Sequence, residues 1–336
     1  MTIRVLSATD VDAALSPALA VDAMRTAFSE LSKGSAIVPI RGHLTTDLGT
    51  VLLMPAYLGD SQGLGAKIVS VFPANSEHGV PAIQGAVLLL DADTGTVRAV
   101  LDGTRLTAIR TAAGSGLATE LLADSDSDVL AIFGAGVQAR AHVEILAGTR
   151  TLREIRIVSR SNDSAVRLAD ELTGRPEVLL PAGSSASPPM IRAVEHPSEA
   201  LEGAGLVVAG TTSTTPVFDS DDLEQGAHVN AVGSFRPDMQ EVDAKLVQRA
   251  RVVVDQRAAI WEEAGDLIQP LEAGLIREDI IDAELGEILN GDAPRGRGGF
   301  DLTYFKSVGN AAQDVAIAGM ALEGAERLGL GIVVEF

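Results

Sequence analysis

The feature that most constrains the fold is an apolar run that leads without pause into a glycine loop, Val129-Leu130-Ala131-Ile132-Phe133-Gly134-Ala135-Gly136-Val137-Gln138-Ala139. Five consecutive apolar residues suit a strand covered on both faces. The G-x-G-x-x-A pattern then opens a helix with Val137, Val143, Ile145 and Leu146 as its apolar residues and Gly148 as its stop. Gly134 permits the tight turn, Gly136 lets a pyrophosphate approach the backbone, and Ala139 keeps the helix close to the sheet. The helix N-terminus offers N–H donors and a partial positive charge to phosphate. Glycines alone would be weak grounds. Set between a strand and a helix, they predict a dinucleotide-binding βαβ unit rather than an ordinary turn.

The chain beyond this point supports that reading. Short apolar runs at 155–158, 206–209, 228–232 and 252–254 alternate with helical segments, which predicts a doubly wound parallel sheet. The second strand ends at Ser159-Arg160-Ser161. A site selective for NAD(H) usually carries an acid there for the ribose hydroxyl, whereas a guanidinium and two hydroxyls suit a 2′-phosphate. NADP(H) is therefore the expected cofactor and NAD(H) the alternative, with Asp163 as the acid that the alternative would need.

Before the glycine loop the pattern differs. Ser16 and Pro17 start a helix in which Val21, Met24, Phe28 and Leu31 recur at helical spacing, and Gly34 ends it. From 39 to 101 the chain reads as strands: a hairpin over 44–53, a strand over 66–72 with Lys67, Val69 and Val71 on one face, and two strands around the turn Asp93-Thr94-Gly95. Helix returns from 106 to about 122. Residues 181–189 read as a surface loop, and a last helix over 310–328 is expected to pack back on the first domain.

Composition narrows the function classes. A chain of 336 residues suits two domains. A net charge of -20 argues against nucleic acid and anionic membranes as partners. No apolar run has membrane-spanning length, and residues 1–6 carry no signal-peptide core. With no cysteine, thiol catalysis, disulfides and thiolate metal sites are excluded, and a cytoplasmic location is expected. The five histidines show no metal-ligand spacing, so no metal is expected. No G-x-S-x-G elbow is present, which removes a common hydrolase reading.

Three cations stand out among small or apolar neighbours: Arg41, Lys67 and Arg110. A charge in such surroundings is costly without a partner. A substrate carboxylate would be one partner. An internal salt bridge, or plain exposure, is the competing explanation, and for each cation taken singly the two are evenly matched.

Four segments shift that balance when taken together: 106–113, 134–139, Asn230-Ala231-Val232-Gly233-Ser234-Phe235-Arg236-Pro237-Asp238, and Phe305-Lys306-Ser307-Val308-Gly309. In order and spacing they resemble the ornithine cyclodeaminase/mu-crystallin family over nearly the whole chain. The resemblance implies an α/β protein in which a Rossmann domain (113–309) is inserted into a discontinuous α+β domain (1–112 plus 310–336) that binds substrate and forms a homodimer. It implies that Arg41, Lys67 and Arg110 hold a substrate carboxylate; for the catalytic proton transfer, Lys67, whose pKa partial burial would lower, and a bound water are equal candidates. It further implies pyrophosphate contacts at Val137 and Gln138, and a 2′-phosphate pocket at Ser159, Arg160 and Ser161. Thr211, Ala231, Val232 and Ser307 match positions along the nicotinamide half.

One position departs from the family's cyclodeaminases. Where they carry a catalytic aspartate, this chain has Phe235, and its run Ser234-Phe235-Arg236-Pro237-Asp238 more closely resembles the imine-reductase and mu-crystallin members. A phenyl ring can neither bind an ammonium by charge nor carry a proton. The expected activity is therefore NADPH-dependent reduction of a small cyclic ketimine such as Δ1-pyrroline-2-carboxylate or Δ1-piperideine-2-carboxylate. Ornithine cyclodeamination, alanine dehydrogenation and non-catalytic NADP(H) binding of the crystallin kind are the alternatives.

Overall fold

The computed structural model describes residues 2–335, the side chains of Ser76 and Glu77 excepted. In chain order, β1 (Thr2–Leu6), α1 (Ala8–Ala14), α2 (Pro17–Lys33), β2 (Ala36–Ile37) and β3 (Gly42–Thr45) come first. Then follow β4 (Thr50–Leu58), β5 (Gly63–Val71), β6 (Ile83–Leu90), β7 (Val97–Asp102) and α3 (Gly103–Leu122). The middle of the chain holds β8 (Val129–Phe133), α4 (Val137–Thr149), β9 (Glu154–Val158), α5 (Asn162–Thr173), β10 (Met190–Ala193), α6 (Pro197–Leu201), β11 (Leu206–Ala209) and β12 (His228–Ala231). It continues through α7 (Ala244–Arg249), β13 (Ala250–Val254), α8 (Arg257–Glu263), α9 (Gly265–Glu272), β14 (Ile281–Glu284), α10 (Leu285–Asn290) and β15 (Leu302–Lys306). The chain closes with α11 (Ala311–Leu328) and β16 (Ile332–Glu335).

These elements divide into two compact units, Met1–Arg110 with Gly309–Phe336, and Thr111–Val308. The first division falls inside α3.

The first unit is built on a mixed sheet ordered β16-β1-β7-β6-β5-β4-β2, with β3 added beside β4. Helices α1, α2 and α11 cover one face, with α11 lying along β4, β5 and β6. Helix α2 has the ends its sequence announces. Ser16 accepts from the Leu19 N–H at 3.3 Å, Pro17 occupies the first turn, and Gly34 closes the helix at φ 75°. Across the covered face of the sheet runs the row Met54, Lys67, Val87, Leu101. All four are buried, so a lysine stands in an apolar row. On the opposite face Leu44, Leu53 and Ile68 are exposed by 56%, 47% and 47%, an apolar surface that no helix of the unit covers.

The second unit is an all-parallel sheet ordered β10-β9-β8-β11-β12-β15-β13-β14. Strand β8 explains why both faces need helices. Val129, Ala131 and Phe133 enter one apolar core, while Leu130 and Ile132 enter the core on the other face. The strand order reverses between β9-β8 and β8-β11, the topological switch point at which open α/β sheets bind ligands outside the carboxyl ends of their strands.

Strand β15 slots between β12 and β13 although it follows both in sequence. Sequence pattern did not mark it, and β1, β10, β14 and β16 were likewise unmarked. Each is short, and its strand character comes from pairing with a distant neighbour rather than from its own alternation.

Candidate functional site

In the first unit the three cations converge on one end of α11. Lys67 projects from β5 and is 2% exposed; its Nζ lies 2.6 Å from Asp314 Oδ2. Arg110, from α3 and 7% exposed, donates through Nε to Asp314 Oδ1 at 3.2 Å and through Nη1 to Gln313 Oε1 at 3.0 Å. Arg41, half-buried just before β3, donates through Nη2 to the Gly309 carbonyl at 2.9 Å. Asn310 caps α11 by accepting from Ala312 and Gln313 N–H groups, which sets Asp314 in the first turn, where the helix dipole favours a carboxylate.

Gly309 sits at φ +79°, and a Cβ there would lie 2.2 Å from Arg110 Nη1. The left-handed backbone favours glycine, and a side chain there would also have to push the guanidinium aside.

The chain itself thus supplies partners for these cations, which the sequence alone left open between a substrate and an internal salt bridge. One carboxylate set against Lys67 and Arg110 still leaves that pair with positive charge in excess. Lys67 reports this balance. Burial lowers its pKa to about 8, Asp314 opposes that shift, and the nearby charges of Arg110 and Arg41 add to it. Asp314 and Gln313 were missed because they lie more than 200 positions from Arg110. The readable signal was an acid and an amide set in the small-residue run Ala311-Ala312-Gln313-Asp314-Val315-Ala316.

In the second unit the expected cofactor residues gather along the carboxyl edge of the sheet. Gly134 adopts φ +115°, and a Cβ there would meet the Gly210 carbonyl at 2.8 Å. Gly136 is the N-cap of α4 and faces open space, with no side chain spent on capping the helix. Val137 is 58% exposed in the first helical turn, an unusual place for valine on a solvated helix and an apt one beneath a ligand. Gln138 Oε1 is buried and has no hydrogen-bond partner. An open glycine cradle and uncapped helical N–H groups fit a dinucleotide pyrophosphate, whereas the orphaned amide oxygen, an acceptor, calls for a donor such as a ribose hydroxyl.

At the end of β9, Ser159 is half-buried, and Arg160 and Ser161 are exposed. Ser161 is the N-cap of α5 but makes no side-chain capping bond, so its hydroxyl and the helix N-terminus stand beside the guanidinium. Asp163 lies within α5 rather than at the strand end. Further along the edge come Thr211 after β11, Val232 after β12 and Ser307 after β15. The Ala231 methyl is wholly buried in the apolar core, so only its backbone can meet a ligand. The Ser307 hydroxyl donates to Asp255 Oδ2 at 2.8 Å, and the same oxygen takes the Val308 N–H at 3.0 Å.

Beneath these strand ends is a buried acidic cluster that motif reading did not find. Glu241, fully buried, accepts from the Thr211 N–H and hydroxyl and from the Gly233 and Ser234 N–H groups. Asp266 in turn accepts from the Glu241 and Val242 N–H groups and lies 2.9 Å from Lys306 Nζ. Burial pushes the Glu241 pKa up, and the charge of Lys306 pulls against that.

Phe235 follows in the loop after β12, 41% exposed. The two acids near it are both committed. Asp238 is held by Arg236 at 2.9 and 3.0 Å, and Glu241 serves four donors. No group of three or more metal-ligating side chains occurs among the described residues, and no helix among them is long and apolar enough to cross a membrane.

Comparison with known proteins fits this geometry. The sequence signature of the ornithine cyclodeaminase/mu-crystallin family matches residues 1–327. A Δ1-pyrroline-2-carboxylate reductase of Bacillus cereus is 37% identical over 316 residues, covering 92% of this chain and 93% of the relative. The ketimine reductase mu-crystallin of Mus musculus is 35% identical over 323 residues, covering 93% and 94%. Among solved structures, the Δ1-pyrroline-2-carboxylate reductase of Thermococcus litoralis, in complex with NADH and L-proline, superposes with a TM-score of 0.88 at 34% identity, covering 98% of this chain and 99% of that one.

Proposed function

This chain belongs to the ornithine cyclodeaminase/mu-crystallin family, and from that premise we propose that it reduces a small cyclic ketimine carboxylate to the cyclic amino acid, with NADPH as hydride donor. The observation that carries the reading is the buried pair Lys67 and Arg110, two cations that share the one carboxylate of Asp314, with half-buried Arg41 near by on the Gly309 carbonyl. A second anion is what such a cluster lacks, and a substrate carboxylate supplies it. The cyclic-imine reductases among the relatives support the substrate class.

The reaction needs a carboxylate clamp, one hydride and one proton. A bound nicotinamide cofactor supplies the hydride. Lys67 and Arg110 would hold the carboxylate and fix the ring, and such orientation lowers a barrier by several kcal/mol. Their positive field also draws electrons along the C=N bond toward nitrogen. Lys67, with its pKa lowered to about 8, can hold or release a proton near neutrality; it or a bound water is the proton source.

Cyclodeamination is the less favoured activity. It needs a group to manage the terminal amine. Phe235 offers an apolar wall instead, and Asp238 and Glu241 are both already engaged. The deciding experiment follows nicotinamide absorbance with pyrroline-2-carboxylate, piperideine-2-carboxylate, pyruvate plus ammonia, and ornithine. Turnover with a cyclic imine and none with ornithine is expected. Ammonia release from ornithine without an external reductant overturns the reading.

Exposed Arg160 and the uncapped Ser161 favour the 2′-phosphate of NADPH, although the Thermococcus litoralis relative was solved with NADH. The uncovered apolar face around Leu44, Leu53 and Ile68 favours a homodimer formed by the first unit. Light scattering at micromolar concentration checks this, with twice the mass of 34.8 kDa expected.

A further inference from the structure

We infer that Glu241 is a positioning residue that sets the two strand-end loops on which the nicotinamide half of the cofactor rests. This rests on the proposed reading that a nicotinamide dinucleotide lies along the carboxyl edge of the second sheet.

The argument starts from how one carboxylate is spent. Glu241 Oε1 takes the Thr211 N–H at 2.5 Å and the Thr211 hydroxyl at 2.8 Å. Its Oε2 takes the Gly233 N–H at 2.6 Å and the Ser234 N–H at 3.2 Å. Thr211 follows β11 and Gly233 follows β12, so a single side chain ties together the ends of two neighbouring strands. Backbone N–H groups buried in loops need acceptors, and here no strand or helix supplies them.

The approach is close enough to dictate sequence. A Cβ on Gly233 would lie 2.1 Å from the Thr211 carbonyl oxygen and 2.5 Å from Glu241 Oε1, so only glycine fits. The acid is itself anchored. Its own N–H donates to Asp266 Oδ1 at 2.6 Å, and Asp266 is braced by Lys306 and by the Ser234 hydroxyl, which accepts the Asp266 N–H.

The loop it holds lies beside the glycine loop. The Gly210 carbonyl is within 2.8 Å of where a Gly134 Cβ would stand, and the Gly210 N–H donates to the Phe133 carbonyl at 3.0 Å. Displacing Thr211 therefore moves the neighbouring wall of the dinucleotide cradle on its nicotinamide side. The adenine side, at the end of β9, has no bond to this cluster.

Glu241→Gln tests the inference. The amide keeps the size but replaces one acceptor with an NH2 group that must face N–H donors, so one of the two loops loses its tie. The readout is equilibrium binding of NADPH and NADH, each against its adenine-side fragment, adenosine 2′,5′-bisphosphate and ADP. The fluorescence of the bound reduced nicotinamide is recorded alongside. The expected result is a loss of about tenfold or more for the dinucleotides, a change in nicotinamide fluorescence, unchanged fragment binding and partial recovery in Glu241→Asp.

Equal losses for fragment and dinucleotide would reduce Glu241 to general support of the fold and overturn the inference. So would unchanged binding of both. If Glu241→Gln does not fold, Thr211→Val removes the hydroxyl that donates to Glu241 and accepts the Ser213 N–H, and leaves the Thr211 N–H tie in place. A weaker but nicotinamide-selective loss then supports the inference, and no loss overturns it. A wild-type protein that binds neither dinucleotide would instead overturn the proposed function itself.

Discussion

The two buried ionic clusters of this molecule are built in opposite senses. In the first unit Lys67 and Arg110 outnumber the Asp314 carboxylate that they share, and the Arg110 guanidinium draws on the Gln313 side-chain oxygen as well. In the second, Glu241 and Asp266 outnumber Lys306, and their oxygens are filled by backbone N–H groups and by the Thr211 and Tyr304 hydroxyls. Excess cationic charge in a buried place is costly until an anion arrives, so the first arrangement is suited to binding. Carboxylates saturated by N–H donors ask for nothing further, so the second is suited to holding loops still. Counting buried charges would treat the two clusters alike. Asking which donors and acceptors are already matched separates them.

The largest effect that bears on this contrast is expected from Arg110→Ala. Loss of one member of a buried, hydrogen-bonded charge cluster costs about 2–5 kcal/mol, so kcat/KM for the imine should fall by roughly thirtyfold or more. Cofactor affinity should hold, because Arg110 bonds to Asp314 and Gln313 and to nothing at the glycine loop. Steady-state kinetics paired with cofactor titration gives both numbers. Equal damage to both would erase the division of labour.

A smaller and complementary effect is expected at Arg160, an exposed cation at the end of β9. Arg160→Ala should weaken NADPH by about tenfold, the worth of one charge-assisted bond to phosphate, while leaving NADH binding as it was. Titration of both cofactors with wild type and variant decides this. Matched affinities for NADPH and NADH in the wild type would remove the 2′-phosphate pocket from the account.

The smallest effect is a pH dependence, and its sign is definite. Burial lowers the Lys67 pKa from 10.5 to about 8, so the ammonium is present below pH 8 and is lost as pH rises through it. Substrate KM should climb above pH 8, by up to about tenfold per unit if the charge is essential to the clamp, while the Kd of the cofactor stays level over the same range. For stability the sign is reversed. The unfolded chain binds this proton more tightly, so Lys67 favours folding more as pH rises from 8 to 10.5. A KM profile flat to pH 10 would remove Lys67 from the carboxylate clamp.

The sequence by itself determined the doubly wound half of the molecule. Strand β8, the glycine loop and α4 are contiguous, and their chemistry is local: a run apolar on both faces, a turn that needs glycine and a helix stop. The same holds for α2, whose cap, first-turn proline and terminal glycine lie within its own span. Only the tertiary structure decided what Lys67 and Arg110 touch, because Asp314 comes from a helix more than 200 residues further along the chain. It also decided that β15 enters the sheet between β12 and β13, and that Glu241 bridges two loops. The physical reason is common to all three. Periodicity and capping are written in neighbouring residues, whereas ion pairing and sheet insertion are settled by which distant segments the packed core brings within about 3 Å of one another.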